Sequence, residues 1–384
     1  MVVSEINKER EGAKMKKYFV IPLFSILFLL GCFANDQPNM KSEESKPVNG
    51  GEIAVEDEEE SQTVNGYEII AEDLDIPWAI EKSENTIYLS ERPGNIVKVE
   101  DGETEAQSVH LEKELATAAE AGLLGVVLDP QFLETQLAYA YYTYEDEDGQ
   151  FNRVVTLRLE DNVWQEESVL LDHIPSGNVH HGGRIKIGPD EKLYVATGDA
   201  AEPQIAQDRD SLGGKILRMN LDGSIPDDNP FPNSYVYSYG HRNPQGLTWS
   251  SNGTMYSSEH GQTANDEINE IKSGQNYGWP IIEGREEKEE MLSPLFTSGS
   301  EETWAPSGMD YYDGKLYVAT LRGEAVLEFD LETGEQREVI SDIGRVRDVY
   351  VNGNSLYFIS NNTDGRGEPD ENDDRLYRIW LKYY

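Results

Sequence analysis

The chain has 384 residues, and 73 aspartates and glutamates against 32 lysines and arginines give it a formal net charge of −41. That surplus argues against nucleic acid or an anionic membrane face as a partner, fits a strongly solvated surface on an exported protein, and offers many oxygen ligands to calcium. Cys32 is the only cysteine, which excludes an internal disulfide and a thiolate metal cluster.

The first 65 residues do not read as fold. Met15-Lys16-Lys17 gives a positive start, and Tyr18 to Leu30 is an apolar run broken only by Pro22 and Ser25. The run is short for a bilayer span and has the length of a signal-peptide core. Met15 opens a complete signal by itself, so residues 1–14 read as an over-extended start. The run ends in Leu29-Leu30-Gly31-Cys32, which resembles a bacterial lipobox. Residues 1–31 are therefore expected to be cleaved and Cys32 lipidated, placing the protein on the extracellular face of the cell membrane. An ordinary signal peptide with a nearby cysteine is the alternative. Residues 32–65 lack the apolar side chains needed to offset ordering entropy and read as a disordered tether. Residues 33–65 carry nine acids against two lysines, so most of the negative charge belongs to the domain that follows.

Residues 66–384 are rich in glycine and tyrosine, lack a long apolar helix pattern, and suit one all-β domain. An aliphatic residue and a tyrosine open a short alternating strand at Ile87-Tyr88, Leu137-Ala138-Tyr139, Leu193-Tyr194, Met255-Tyr256, Leu316-Tyr317 and Leu356-Tyr357. Second strands follow at 96–99, 154–157, 216–219, 267–270, 326–329 and 376–379. Each hairpin is too small to bury a core alone, and six of them predict a six-bladed β-propeller. A strand near residues 67–70 would complete the last blade. A β-sandwich is the alternative, against which the regular spacing weighs. The long connections 199–214 and 257–266 would project from one face of the ring.

Two loops concentrate the chemistry. The first reads His180-His181-Gly182-Gly183-Arg184 and precedes a strand ending at Gly198-Asp199; the second reads Gly240-His241-Arg242-Asn243-Pro244 and leads to Glu259-His260-Gly261-Gln262. Histidine exchanges protons near neutral pH, and glycine and proline bring stiff backbone close to a ligand. Arg242, Arg345 and Arg347 stand out in so acidic a chain, either as surface ion-pair partners or as carboxylate holders. A zinc site from three of these histidines finds no His-x-His or His-Glu-x-x-His spacing to support it.

These segments, in order, resemble the soluble pyrroloquinoline quinone (PQQ) dependent sugar dehydrogenases, the glucose/sorbosone dehydrogenase family of six-bladed propellers. The resemblance also runs through Leu74-Asp75-Ile76-Pro77-Trp78, Glu91-Arg92-Pro93-Gly94, Ala121-Gly122-Leu123-Leu124-Gly125, Asn276-Tyr277-Gly278-Trp279-Pro280 and Arg345-Val346-Arg347-Asp348. It implies an enzyme that oxidises the anomeric carbon of an aldose to a lactone, with PQQ as hydride acceptor and an external electron acceptor still to be named. His180 matches the general base and Asp199 its carboxylate partner. Arg242 and Asn243 match cofactor contacts, and Arg345 and Arg347 the pair that holds cofactor carboxylates. The carbonyls of Gly261 and Gln262 match the ligands of a calcium that bridges to the cofactor; Asp266, Glu267 and Tyr277 match a second, structural calcium site. The chain departs from the family where a cofactor-binding lysine is replaced near Leu321-Arg322-Gly323, leaving Arg322 as the candidate. It departs again at Glu120, which stands where glucose enzymes have a glutamine near the sugar. A propeller serving as a binding module, or hydrolysing a lactone without PQQ, is the alternative function.

Overall fold

The computed structural model describes residues 63–64, 66–117 and 119–381. The expected signal peptide, Cys32 and nearly all of the tether lie outside the described residues. Strands dominate, with helical turns at Phe132–Thr135 and Pro203–Gln207.

The strands form antiparallel meanders. The first runs through Pro77–Ser83, Thr86–Glu91, Asn95–Glu100 and Glu103–His110. The second takes Leu123–Leu128, Leu137–Asp146, Gly149–Glu160 and Val163–Pro175. Parallel pairing of Trp164 with Val109 and Gln165 with His110 joins the two into one eight-stranded sheet. Three four-stranded sheets follow, opening with Ile185–Ile187, Pro244–Trp249 and Pro306–Tyr312. The last sheet opens with Val346–Asn352 and recruits Tyr67–Ala71 against Leu376–Trp380, with Glu68 opposite Arg378. Thr63–Val64 pairs back on Tyr67–Ala71, so the fold takes in two residues assigned above to the tether.

The opening strands touch in cyclic order: Pro77–Ser83 meets Leu123–Leu128, each later opening strand meets the next, and Val346–Asn352 returns to Pro77–Ser83. Such a closed circle of meanders is the arrangement of a β-propeller, in which radial repetition hides all but short sheet edges. Middle strands are covered on both faces, which is why their sequences are continuous rather than alternating. Leu193–Thr197 and Lys215–Met219 are buried at every position. The outermost strand Gln336–Ile340 is largely exposed and carries Arg337 and Glu338, a composition that discourages edge pairing. Leu74, Ile80 and Leu89 pack on Ile359 and Leu376, sealing the first meander to the last; each such buried aliphatic side chain contributes about 1.5–3 kcal/mol.

The aliphatic–tyrosine repeat marks the second strand of each meander, not the first, and one expected connection is shorter than read. Met255–Glu259 is strand, so the projecting loop is 260–266. Because consecutive strands are antiparallel, the starts of opening strands and the ends of second strands meet at one end of the ring. That end carries the chemistry.

Candidate active site

His180 precedes the opening strand Ile185–Ile187, and Asp199 follows the second strand Leu193–Thr197 of the same meander. The two loops press together so closely that a Cβ at Gly198 would fall 1.8 Å from the His180 carbonyl oxygen, and only glycine fits. This contact sets the dyad: His180 Nδ1 lies 2.7 Å from Asp199 Oδ1. Asp199 is fully buried, and its Oδ2 accepts from Trp279 Nε1 at 2.8 Å. A carboxylate on Nδ1 holds the proton there and leaves Nε2, on a partly exposed side chain, as the basic nitrogen. Asn243 ties the second loop to the first by accepting from Gly182 N at 3.0 Å.

Arg242 begins that second loop's approach. Its backbone N–H donates to Glu259 Oε2 at 2.9 Å, and its guanidinium lies 5.4 Å from the Trp279 ring centre. Burial lowers Arg242 below the ordinary guanidinium range, with Asp199 and Glu283 opposing. Next to it, a small central cavity is lined in part by Trp78, Arg92, Glu120, His181, Arg347 and Arg366. Arg347 donates to Asn361 Oδ1 and to Gln245 Oε1; burial first, then Arg366, push it down to about 9. Arg345 donates to Leu321 O and to Asp364 Oδ2. Burial pushes His181 down to about 4, so it is neutral at pH 7.

The donors around this cavity are incompletely used. The guanidinium donors Arg242 Nε and Arg345 Nε, and the ring nitrogens His181 Nε2 and His260 Nε2, are buried without a protein partner. Unpaired buried donors are costly, and a ligand rich in acceptor oxygens satisfies them.

The metal candidates divide. Gly261 N donates to Asp266 Oδ1 and Gln262 N to Glu283 Oε1, and among the described residues no backbone N–H outside the sheets donates to either carbonyl oxygen. Glu267 and Tyr277 line a small cavity together with Arg242, Glu259 and Gly261. Burial, then the adjacent Glu259, hold Glu267 well above the usual carboxylate range, an arrangement that a cation would relieve. Asp266 does not join them. Its carboxylate accepts from Gly261 N, Thr303 Oγ1, Trp304 N and Ala305 N, and organises the loop instead. The Tyr277 hydroxyl is likewise committed, donating to Glu270 O and accepting from Lys272 N. Among the described residues no group of three or more His, Cys, Asp or Glu side chains is arranged to hold a metal, so a cation here would lean on backbone carbonyls. His241 sits between Ser238 and Glu259, committed to the core.

The profile of the Glucose / Sorbosone dehydrogenase family matches residues 74–378. The chain belongs to that family. Among solved structures it is similar to the PQQ-bound aldose sugar dehydrogenase of Streptomyces coelicolor, at 35% identity and a TM-score of 0.77 over 82% of this chain and 97% of that one. It is 29% identical to the aldose sugar dehydrogenase YliI of Escherichia coli over 76% of this chain and 89% of that protein. It is 35% identical to quinoprotein glucose dehydrogenase B of Acinetobacter calcoaceticus over a shorter stretch, 52% of this chain and 49% of that one.

Within this glucose/sorbosone dehydrogenase framework, the structure gathers His180, Asp199, Arg242, Asn243, Arg345, Arg347 and Glu120 at one end of the ring. Arg322 is the exception: it is exposed, and its neighbour Leu321 lines the cavity in its place. Sequence reasoning gave no role to Trp279, Arg92 and Arg366. Trp279 and Arg92 fall inside the segments of resemblance. Arg366 had no signal beyond being a cation in an acidic loop.

Proposed function

We propose that this six-bladed propeller oxidises the anomeric carbon of an aldose to a lactone, using PQQ and calcium. The six opening strands in closed contact support the blade number. The observation that carries the activity is the His180–Asp199 pair, with Nε2 left free, beside an arginine-lined cavity whose buried donors lack partners.

The residues suit a quinone bearing three carboxylates. Arg345 and Arg347 would hold cofactor carboxylates, and Arg242 and Asn243 would supply further cofactor contacts. Gly261 and Gln262 would lend carbonyls to the calcium, with Glu267 as the candidate for further metal ligation. When bound, PQQ supplies the hydride acceptor. His180 Nε2 takes the proton of the anomeric hydroxyl, because hydride leaves that carbon only as its oxygen loses a proton. Asp199 keeps the Nδ1 proton in place and stabilises the imidazolium. The Arg242 guanidinium, steadied against Trp279, sets positive charge where negative charge develops.

The test is reconstitution. Apo-protein loaded with PQQ and calcium should reduce an artificial dye in the presence of aldoses and release the lactone. Loaded protein that reduces no dye with any of a panel of aldoses, or that consumes lactone without PQQ, would overturn the assignment. The anchor at Cys32 and the extracellular position belong to the same proposal and are supported by the lipobox-like Leu29-Leu30-Gly31-Cys32.

A further inference from the structure

We propose that the ion pair between Glu120 and Arg366 sorts substrates by charge, admitting neutral and 2-amino aldoses and turning away sugars that carry a carboxylate. The proposal rests on the aldose dehydrogenase reading and adds the class of aldose.

Glu120 and Arg366 lie 246 positions apart in the chain and meet at the cavity, where Arg366 Nη1 donates to Glu120 Oε1 at 2.8 Å. The other oxygen, Oε2, accepts from the backbone N–H of His180 at 3.1 Å. The carboxylate is thus fastened to the residue that carries the base, in the region where a sugar must place its reacting carbon. Glu120 is the one carboxylate among the residues lining the cavity, against Arg92, Arg347 and Arg366.

The cavity arginines differ in availability. The Arg345 and Arg347 side chains are 7% and 4% exposed, whereas Arg366 is 43% exposed. Arg366 also donates through Nε and Nη2 to Asp364 Oδ2, at 3.1 and 2.8 Å. With Glu120 present, Nε, Nη1 and Nη2 of Arg366 each have a carboxylate partner, although Asp364 Oδ2 is shared with Arg345. Burial works to raise Glu120, but Arg366 and the His180 N–H outweigh it and hold the group down to about 2. It is therefore negative wherever a sugar acid is negative. In the loaded enzyme the cofactor carboxylates would occupy Arg345 and Arg347, so a sugar carboxylate placed beside Glu120 meets a like charge and is disfavoured, while an ammonium on the sugar is attracted.

Glu120→Gln keeps the shape and removes the charge, leaving Arg366 able to accept a substrate carboxylate. The experiment measures dissociation constants for glucose, glucosamine and glucuronate by ligand-observed NMR. It uses PQQ- and calcium-loaded protein without an electron acceptor, so at most one turnover occurs. Wild type is expected to prefer glucose over glucuronate by roughly tenfold or more. Glu120→Gln should move that ratio toward glucuronate by roughly tenfold and weaken glucosamine relative to glucose. The double variant Glu120→Gln/Arg366→Gln should lose the gain for glucuronate. A ratio in Glu120→Gln within about twofold of wild type, or a gain that survives in the double variant, overturns the proposal. Because binding is read rather than turnover, this failure is distinct from failure of the dehydrogenase reading, which would appear as no dye reduction by loaded wild type with neutral aldoses.

Discussion

Trp279 donates its indole N–H to Oδ2 of Asp199 at 2.8 Å, so the carboxylate that orients the His180 imidazole is itself held from behind. The same indole lies under the Arg242 guanidinium. One side chain therefore braces both the proton-accepting pair and the cation expected at the quinone. His180→Ala should retain fold and PQQ binding and lose roughly 10²–10⁴-fold in turnover. Asp199→Asn should also lose turnover by releasing the wrong tautomer, and Trp279→Phe should lose roughly three- to tenfold. Steady-state dye reduction at saturating aldose ranks them; a dead His181→Ala beside a nearly normal His180→Ala would reassign the base.

Arg345 and Arg347 have a separable role. Changing both to Gln should weaken PQQ binding without touching the dyad, and wild-type binding should require calcium, since the ion offsets cofactor charge in an acidic protein. A visible-absorbance titration checks both. Saturation that is equally tight in excess chelator would count against calcium, and equal affinity in the double variant against the arginines.

His181 makes stability depend on acid. Burial holds it down to about 4 in the fold, against an ordinary value of 6.5. Between those values the unfolded chain binds a proton that the native state refuses. Its contribution is therefore complete above about pH 6.5 and is lost as pH falls toward 4. Unfolding free energies of wild type and His181→Gln, from denaturant titrations, should converge on acidification by roughly 1.4 kcal/mol per pH unit. A constant gap across that window would mean that His181 titrates normally.

Lys215 is fully buried, and its ammonium donates to the carbonyls of Ile205, Ala206 and Gly213. Those residues belong to the connection that follows Asp199, and Gln207 in the same connection bonds the Trp279 carbonyl. Lys215→Met should cost roughly 3 kcal/mol, because three carbonyls lose their donor together. Thermal denaturation reads the loss; a Tm unchanged from wild type would show that water replaces the ammonium.

Cys32→Ser tests the anchor. The variant should leave the membrane fraction or remain unprocessed, and cell fractionation with mass spectrometry of the mature N-terminus distinguishes these. Unchanged membrane retention would remove the lipoprotein proposal.

The limits of the sequence reading follow from where the signals lie. The aliphatic–tyrosine pairs are visible because second strands are sandwiched on both faces and read as apolar runs. Opening strands escape notice: Ile185–Ile187 has three residues, and Pro244–Trp249 and Pro306–Tyr312 begin with proline. These are nonetheless the strands whose starts present the site. His180 and Asp199 were legible because they sit in distinctive glycine-flanked loops. Arg322 was named as a possible stand-in for a cationic cofactor contact, but it is exposed and its neighbour Leu321 lines the cavity. Asp266 had the chemistry of a calcium ligand but is consumed by three backbone N–H groups and a hydroxyl. The Glu120–Arg366 pair joins distant segments, and no local pattern announces it.

The seam between Tyr67–Ala71 and Leu376–Trp380 also fixes when the ring becomes whole. A ribosome delivers the first of these strands long before the second. Throughout synthesis that early strand waits with an unsatisfied edge while the meanders between them assemble from local pairings. A chain cut short before residue 376 keeps the contact of Val346–Asn352 with Pro77–Ser83 but leaves Tyr67–Ala71 without its partner, so loss of the C-terminal strand should unfasten the ring and act as a functional deletion of the whole molecule.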